Sequence, residues 1–168
     1  MAEVSLEAIK ALREQTSAGV MDCKNALEEA GGDMVKAVEL LRQRGLTIAA
    51  KKSDRETLEG LVDCYIHTGN RVGAIVEVNC ETDFVARTPG FKELAHDLAM
   101  QVAAMAPLYL DSEAVPTEDT VNLEEACLME QPFIRDPAKT IRDLVNDTVA
   151  QVGENIRVRR FERFALGE

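Results

Sequence analysis

Hydrophobic residues in the first 45 positions recur at helical spacing, and turn-forming residues interrupt them twice. Ser5 is placed to cap a first helix, which ends at Thr16-Ser17-Ala18-Gly19, and Gly31-Gly32 ends a second helix. Asp33 is placed to cap a third helix, which ends at Gly45. The apolar faces consist of Leu6, Ile9 and Leu12, then Val20, Cys23, Ala26, Leu27 and Ala30, then Val35, Val38 and Leu41. Helices this short are unstable alone in water, so the pattern predicts a three-helix domain over residues 1–45.

The spacing changes from helical to alternating after a polar and basic stretch. Residues 46–56 are predicted to form a linker with some helical character. Residues 58–67 and 71–80 then alternate as half-buried strands do. Thr68-Gly69-Asn70 between them tolerates positive φ, which predicts an antiparallel hairpin.

Two amphipathic helices and a last strand follow. Thr88-Pro89 is typical of a helix start, and apolar residues recur at helical spacing until Pro107. Residues 111–131 are acidic, with weak helical spacing over 121–129. Pro137 lies near the start of a second helix that ends at Gly153, and residues 156–164 alternate as an exposed or edge strand with three arginines on its solvent side. Residues 57–168 are therefore predicted to form an α+β core domain, a three-stranded antiparallel sheet with helices on one face.

Composition excludes several classes of function. The formal net charge of -11 disfavours binding to phosphate backbones, so no nucleic-acid partner is expected. No apolar run reaches the ~18 to 20 residues that cross a bilayer, and Met1-Ala2-Glu3-Val4 lacks signal-peptide features. These features predict a cytoplasmic protein with no membrane contact. The four cysteines and two histidines are scattered, which predicts reduced thiols and neither a disulfide framework nor a metal or cofactor site.

The sequence contains no recognisable catalytic constellation. Neither histidine lies near a serine or cysteine in a strained elbow, and no glycine pattern for binding phosphate is present. We therefore expect a binding protein rather than an enzyme.

One strand leads directly into an acid and an aromatic residue. Residues 77–87 run from the second predicted strand through Asp83 and Phe84 into a connection of about seven residues. The Phe84 ring either packs under the following helix or is exposed for recognition. Burying Asp83 without a partner would be costly, and Phe91 already offers an aromatic anchor, so both residues favour exposure.

A second apolar pair lies between the first two predicted helices. Val20 and Met21 cannot both point inward at the start of a helix. Either one belongs to the core and the other is merely exposed, or both form an apolar docking surface with Arg13 and Lys24 at its rim.

Several segments of this chain resemble the bacterial translation elongation factor Ts family. Residues 12–27 of this chain, LREQTSAGVMDCKNAL, are similar to the N-terminal signature of the family, and residues 77–87, EVNCETDFVAR, are similar to its second signature. Residues 130–133 and 153–161 are also similar to later family segments, so the resemblance covers nearly the whole chain.

The resemblance implies a nucleotide exchange factor for the GTPase elongation factor Tu, built from a ubiquitin-associated-like three-helix domain and an α+β core. In the family, a Thr-Asp-Phe-Val segment enters the G domain of the GTPase and helps to dislodge magnesium. The corresponding residues are Thr82, Asp83, Phe84 and Val85. The N-terminal loop docks on the same G domain, here around Val20, Met21 and Lys24, with Arg13 beside them.

The chain also departs from the family pattern. Ser17 and Val20 stand where glycine and methionine are usual, and most of a helical hairpin is missing between residues 116 and 130. The core segment occurs once, as in short members of the family, which pair as homodimers. An alternative function is that of an adaptor whose three-helix domain binds ubiquitin-like or helical partners and whose core only dimerises.

Overall fold

A computed structural model describes residues 4–16 and 18–168 of the chain. The predictions that involve Ser17 and the first three residues lie outside this range. The described helices are α1 (Leu6–Thr16), α2 (Val20–Glu29), α3 (Met34–Lys52), α4 (Asp83–Ala86), α5 (Pro89–Met105), α6 (Leu123–Ala126) and α7 (Ile141–Val152). The strands are β1 (Glu59–Ile66), β2 (Val72–Cys80), β3 (Pro132–Phe133), β4 (Asp136–Thr140) and β5 (Ile156–Ala165).

Helices α1 to α3 pack around a small apolar core of their own, which confirms the three-helix domain. Ser5 accepts a hydrogen bond from the Ala8 amide, 3.1 Å away, and Asp33 accepts one from the Lys36 amide at the start of α3. The buried side chains of this core are those of Ile9, Leu12, Cys23, Ala26, Leu27 and Ala37. The three short helices therefore stabilise one another through this shared core.

Helix α3 does not end at Gly45, so the predicted helix end is wrong. It continues to Lys52, and residues 46–52 of the predicted linker are helical. A glycine inside a helix costs about 1 kcal/mol relative to alanine. Tertiary packing outweighs this cost, because buried Gly45 lies against α7 and Ile48 and Ala49 pack on the main core. The division into domains 1–45 and 57–168 stays a prediction.

The main sheet has the order β1-β2-β5 with antiparallel pairing throughout, as predicted. Gly69 and Asn70 have positive φ in the turn between β1 and β2. Strand β5 forms one edge of the sheet, and its exposed arginines are Arg157, Arg159 and Arg160. The β2–β5 register shifts between Glu77 and Val78. As a result, two consecutive arginines of β5 lie near Glu77, and the Arg160 hydrogen bond lowers the pKa of that carboxyl group.

Helices α5 and α7 pack on one face of this sheet and bury the main core, which confirms the α+β prediction. The opposite face has no helix packed against it in the described chain. This outer face exposes a row of apolar side chains from all three strands and the segment after β5, namely Val62, Ile66, Ile75, Phe164 and Leu166.

Residues 106–140 differ most from the sequence predictions. The weak helix predicted over 121–129 is reduced to α6, and β3 and β4 form a small hairpin that was not predicted. Pro137 lies within β4, and α7 begins four residues later at Ile141. Thr140 and Asp143 cap α7 reciprocally, so this capping box, and not Pro137, marks the helix start. Gly153 ends α7 with a left-handed conformation, as predicted.

Candidate partner-binding site

The predicted connection after β2 contains a single helical turn, α4, whose start is fixed by Thr82. The Thr82 hydroxyl oxygen accepts a hydrogen bond from the Val85 amide, 3.5 Å away. Thr88 repeats this arrangement at the start of α5, where its hydroxyl oxygen accepts from the Phe91 amide at 3.3 Å. Two capped helix starts in succession therefore define the path of residues 82–91. We call residues 82–87 the Phe84 turn.

The Phe84 turn buries two small side chains and exposes its large one. Val85 and Ala86 are buried in the main core, whereas the Phe84 side chain is 78% exposed. Phe91, seven residues later, is completely buried. The alternative in which the Phe84 ring packs under α5 is therefore wrong. Because Val85 is buried, its contribution to any contact with a partner would be to anchor the turn.

Asp83 lies at the first position of α4 and is half exposed. Its Oδ2 atom is 2.8 Å from the Arg87 Nη2 atom, one helical turn away. An ion pair this exposed contributes little stability, since solvent screens both charges. Asp83 is therefore available to exchange Arg87 for a group on a partner.

The base of the Phe84 turn is fixed by a carboxylate from a distant part of the chain. Glu154, just after α7, accepts hydrogen bonds from both the amide and the hydroxyl of Thr82 at 2.9 and 2.7 Å. The Cys80 thiol donates to the Thr82 carbonyl oxygen, and burial raises the pKa of this thiol to about 11, with Glu154 adding to the shift. The thiol therefore stays protonated at neutral pH and acts as a donor.

Sequence reasoning did not identify Glu154 as part of this site. The residue lies 72 positions from Thr82, and no local pattern links the two. The available signals were a polar run, residues 153–155, between a helix end and a strand, and the resemblance of residues 153–161 to a family segment. Neither signal links Glu154 to Thr82.

The structure decides between the two interpretations of the apolar pair Val20 and Met21. Together with Arg13 and Lys24, this pair forms what we call the N-terminal surface. Val20 and Met21 are both exposed, at 53% and 62%, and the inward position of this helix start is taken by the buried Cys23. Arg13 is exposed at the end of α1, and Lys24 is half exposed with its ammonium 3.7 Å from a Glu28 carboxylate oxygen. The interpretation with one of the two apolar residues in the core is therefore wrong. Whether this surface binds a partner stays a prediction.

The end of α3 is tied to the same loop that holds the Phe84 turn. Lys52 donates a hydrogen bond to the Gly153 carbonyl oxygen. The Asn155 side-chain amide donates to the carbonyl oxygens of Ser53 and Arg55, 3.2 and 2.8 Å away. Residues 153–155 therefore contact both the end of α3 with the segment after it and the start of the Phe84 turn.

Metal-binding clusters and membrane-spanning helices are both absent from the described residues. Within residues 4–16 and 18–168, no group of three or more histidine, cysteine, aspartate or glutamate side chains is arranged to hold a metal ion. Across the same residues, every helix is too short or too polar to cross a membrane.

Comparisons with known proteins match nearly the whole chain. A family model described as "Elongation factor TS" matches residues 6–123. The chain is 48% identical to an "Elongation factor Ts" from Carboxydothermus hydrogenoformans, over 98% of this chain and 90% of the relative. A relative of the same description from Thermotoga maritima is 48% identical, over 99% of this chain and 98% of its own length. One from Rippkaea orientalis is 49% identical, over 100% and 80%.

These alignments span 194 to 199 positions, whereas the chain has 168 residues. The relatives therefore contain residues with no counterpart in this chain. This difference agrees with a shortened insertion.

Proposed function

Because the chain belongs to the elongation factor Ts family and is a factor of translation elongation, we propose that it is a guanine-nucleotide exchange factor for the GTPase elongation factor Tu. The observation that carries the proposal is the exposed Phe84 ring, presented on a turn whose neighbouring side chains are buried. Aromatic residues, phenylalanine included, are enriched at interfaces, where a few residues carry most of the binding energy.

Exchange of this kind requires no bond chemistry by the factor. It must bind the nucleotide-free GTPase more tightly than the nucleotide-bound one, and by linkage it then weakens nucleotide binding by the same factor. The magnesium ion that bridges the phosphates supplies much of the nucleotide affinity in such GTPases. We propose that Phe84 inserts between helices of the GTPase and displaces groups that hold this ion, while Asp83 orients the inserting turn.

The N-terminal surface supplies a second contact in this proposal. Val20 and Met21 would pack on the G domain of the GTPase, and the charges of Arg13 and Lys24 would lie at the rim. A contact here adds affinity in the nucleotide-bound and nucleotide-free states alike. It therefore brings Phe84 to its target without itself favouring release.

The direct test is the release of a fluorescent GDP analogue from elongation factor Tu, followed by stopped flow. We expect the release rate to rise with the concentration of this protein and then to saturate. A release rate that stays at the spontaneous value would overturn the proposal.

A pull-down from a bacterial lysate separates exchange from the adaptor alternative. An exchange factor retains the GTPase and releases it when GDP and magnesium are added, because nucleotide and factor oppose each other's binding. Retention that does not respond to nucleotide would favour the adaptor.

We also propose that two copies pair through the outer face of the sheet, and that the protein acts in the cytoplasm without nucleic acid. The apolar row described above supports pairing, since identical faces can meet in a closed two-fold dimer. The net charge of -11 supports the absence of a nucleic-acid partner.

Ile75 lies on the central strand of this face and provides a test of pairing. We expect Ile75→Lys to weaken dimerisation by at least about tenfold, because two buried ammonium groups would face each other across the axis. Light scattering and sedimentation over a range of concentrations measure the change. Val35→Lys introduces the same charge at an exposed apolar residue on α3, outside this face, and should leave the dimer intact. A monomeric wild-type protein would contradict the proposal.

A further inference from the structure

We propose that Glu154 is a positioning residue for exchange, which holds the Phe84 turn in the orientation that presents the ring. This inference rests on the proposed function. Within the described residues, Glu154 hydrogen-bonds to Thr82 of the turn, so it would act on Phe84 through that residue.

The contact between Glu154 and Thr82 fixes a direction as well as a distance. The two carboxylate oxygens accept from two donors of one residue, the backbone amide at 2.9 Å and the hydroxyl at 2.7 Å. The hydroxyl proton therefore points to Glu154, which leaves the oxygen free to accept the Val85 amide. Hydrogen bonds to a charged acceptor are about twice as strong as neutral ones. The carboxylate thus sets both the peptide plane at the start of α4 and its capping group.

A reciprocal contact holds Glu154 itself in place. The β2–β5 ladder ends at the pair Cys80–Ile156. Just beyond it, the backbone amide of Asn155 donates to the Glu81 carboxylate at 2.7 Å. Asn155 is buried, and its side chain is tied to the segment after α3. Glu81, just after β2, and Glu154, just before β5, therefore continue to link the two chain segments beyond the last pair of the sheet.

The Phe84 turn needs such support because it is too small to hold itself. A four-residue helix is unstable in isolation, and its exposed ring contributes little packing within this chain. A mobile ring would have to be ordered during binding, and ordering a side chain or a loop lowers affinity in the complex that needs it. Because the N-terminal surface docks separately, disorder of the turn should reduce release within the complex more than it reduces formation of the complex.

The test measures the concentration dependence of GDP release for Glu154→Ala and Glu154→Gln. We expect the maximal release rate to fall about tenfold for alanine and about threefold for glutamine, which keeps one acceptor. The half-saturating concentration should change less than twofold in both. Glu118→Gln removes the same charge from an exposed glutamate and should behave like the wild-type protein.

A double variant distinguishes positioning from a general structural role. If Glu154 acts only by orienting Phe84, then adding Glu154→Ala to Phe84→Ala should cause no further loss of the maximal rate. Multiplicative losses, or wild-type release by Glu154→Ala, would overturn the proposal. A wild-type protein that fails to stimulate release would instead overturn the exchange function itself.

Hydrogen exchange provides a readout that does not depend on the GTPase. The Thr82 amide is bonded to Glu154, so we expect it to exchange at least about tenfold faster in Glu154→Ala, which has no acceptor, and less than tenfold faster in Glu154→Gln, with amides at the centre of β2 unchanged. Equal protection of the Thr82 amide in the wild-type protein and the variants would contradict the role of this contact. If the alanine variant does not fold, the glutamine variant carries both measurements.

Discussion

Phe84→Ala is expected to lower the maximal rate of stimulated GDP release by at least about 30-fold while leaving the fold intact. Interface hot spots cost 2 kcal/mol or more on truncation to alanine, and 1.4 kcal/mol corresponds to a factor of ten. The ring is 78% exposed, so its removal withdraws little packing from this chain. The free energy of unfolding should therefore stay within about 0.5 kcal/mol of the wild-type value.

Stopped-flow release at saturating concentrations measures the effect, and Leu108→Ala provides the matched control. Leu108 is a large apolar residue with a similar exposed fraction, 70%, outside the Phe84 turn. We expect its truncation to leave release unchanged. Wild-type rates for Phe84→Ala, or an equal loss for Leu108→Ala, would remove the specific role assigned to the Phe84 ring.

Phe91→Ala is expected to have the opposite profile, a large loss of stability. Phe91 is completely buried at the start of α5, against the main sheet. Truncation of a buried phenylalanine to alanine costs about 3–5 kcal/mol through lost transfer energy and the cavity left behind. That is a large share of the roughly 5–15 kcal/mol that stabilises a typical domain. We expect the thermal midpoint to fall by about 10 °C.

Urea unfolding followed by two signals checks this expectation. Tyr65 and Tyr109 both lie in the predicted core domain, so tyrosine fluorescence reports on that domain, whereas circular dichroism reports on all the helices. The fluorescence transition should shift to lower urea for Phe91→Ala and stay in place for Phe84→Ala. Overlapping transitions for Phe91→Ala and the wild-type protein would show that Phe91 does not anchor the core.

The hairpin and α5 were predictable because each is specified by its own residues. Alternation over residues 58–80, a turn with Gly69, and the Thr88 cap are local signals that tertiary packing did not override. The end of α3 was not predictable, because Gly45 stops a helix only where nothing packs on it. Here α7 does, and α7 lies about one hundred residues further along the chain.

The candidate site was predictable only in part, for the same reason. The residues beside Phe84 could favour exposure, but burial of Val85 and Ala86 decides it, and that burial requires the assembled core. The contact of Thr82 with Glu154 joins segments 72 positions apart. Such a contact has no periodicity or local motif to reveal it. A proline is typical of a helix start, so Pro137 does not reveal the β3–β4 hairpin in which it lies.

The continuity of α3 through Gly45 determines how the two candidate binding surfaces cooperate. A flexible tether would let the N-terminal domain and the Phe84 turn search independently, with an effective concentration that falls as the tether lengthens. A continuous helix instead presents both surfaces at a fixed separation and angle, so much of the entropy of bringing them together is lost on folding rather than on binding. If both surfaces bind one partner, as proposed above, the helix would combine two modest contacts into avidity for one shape of partner. The same stiffness would then exclude a partner whose two sites lie at a different spacing.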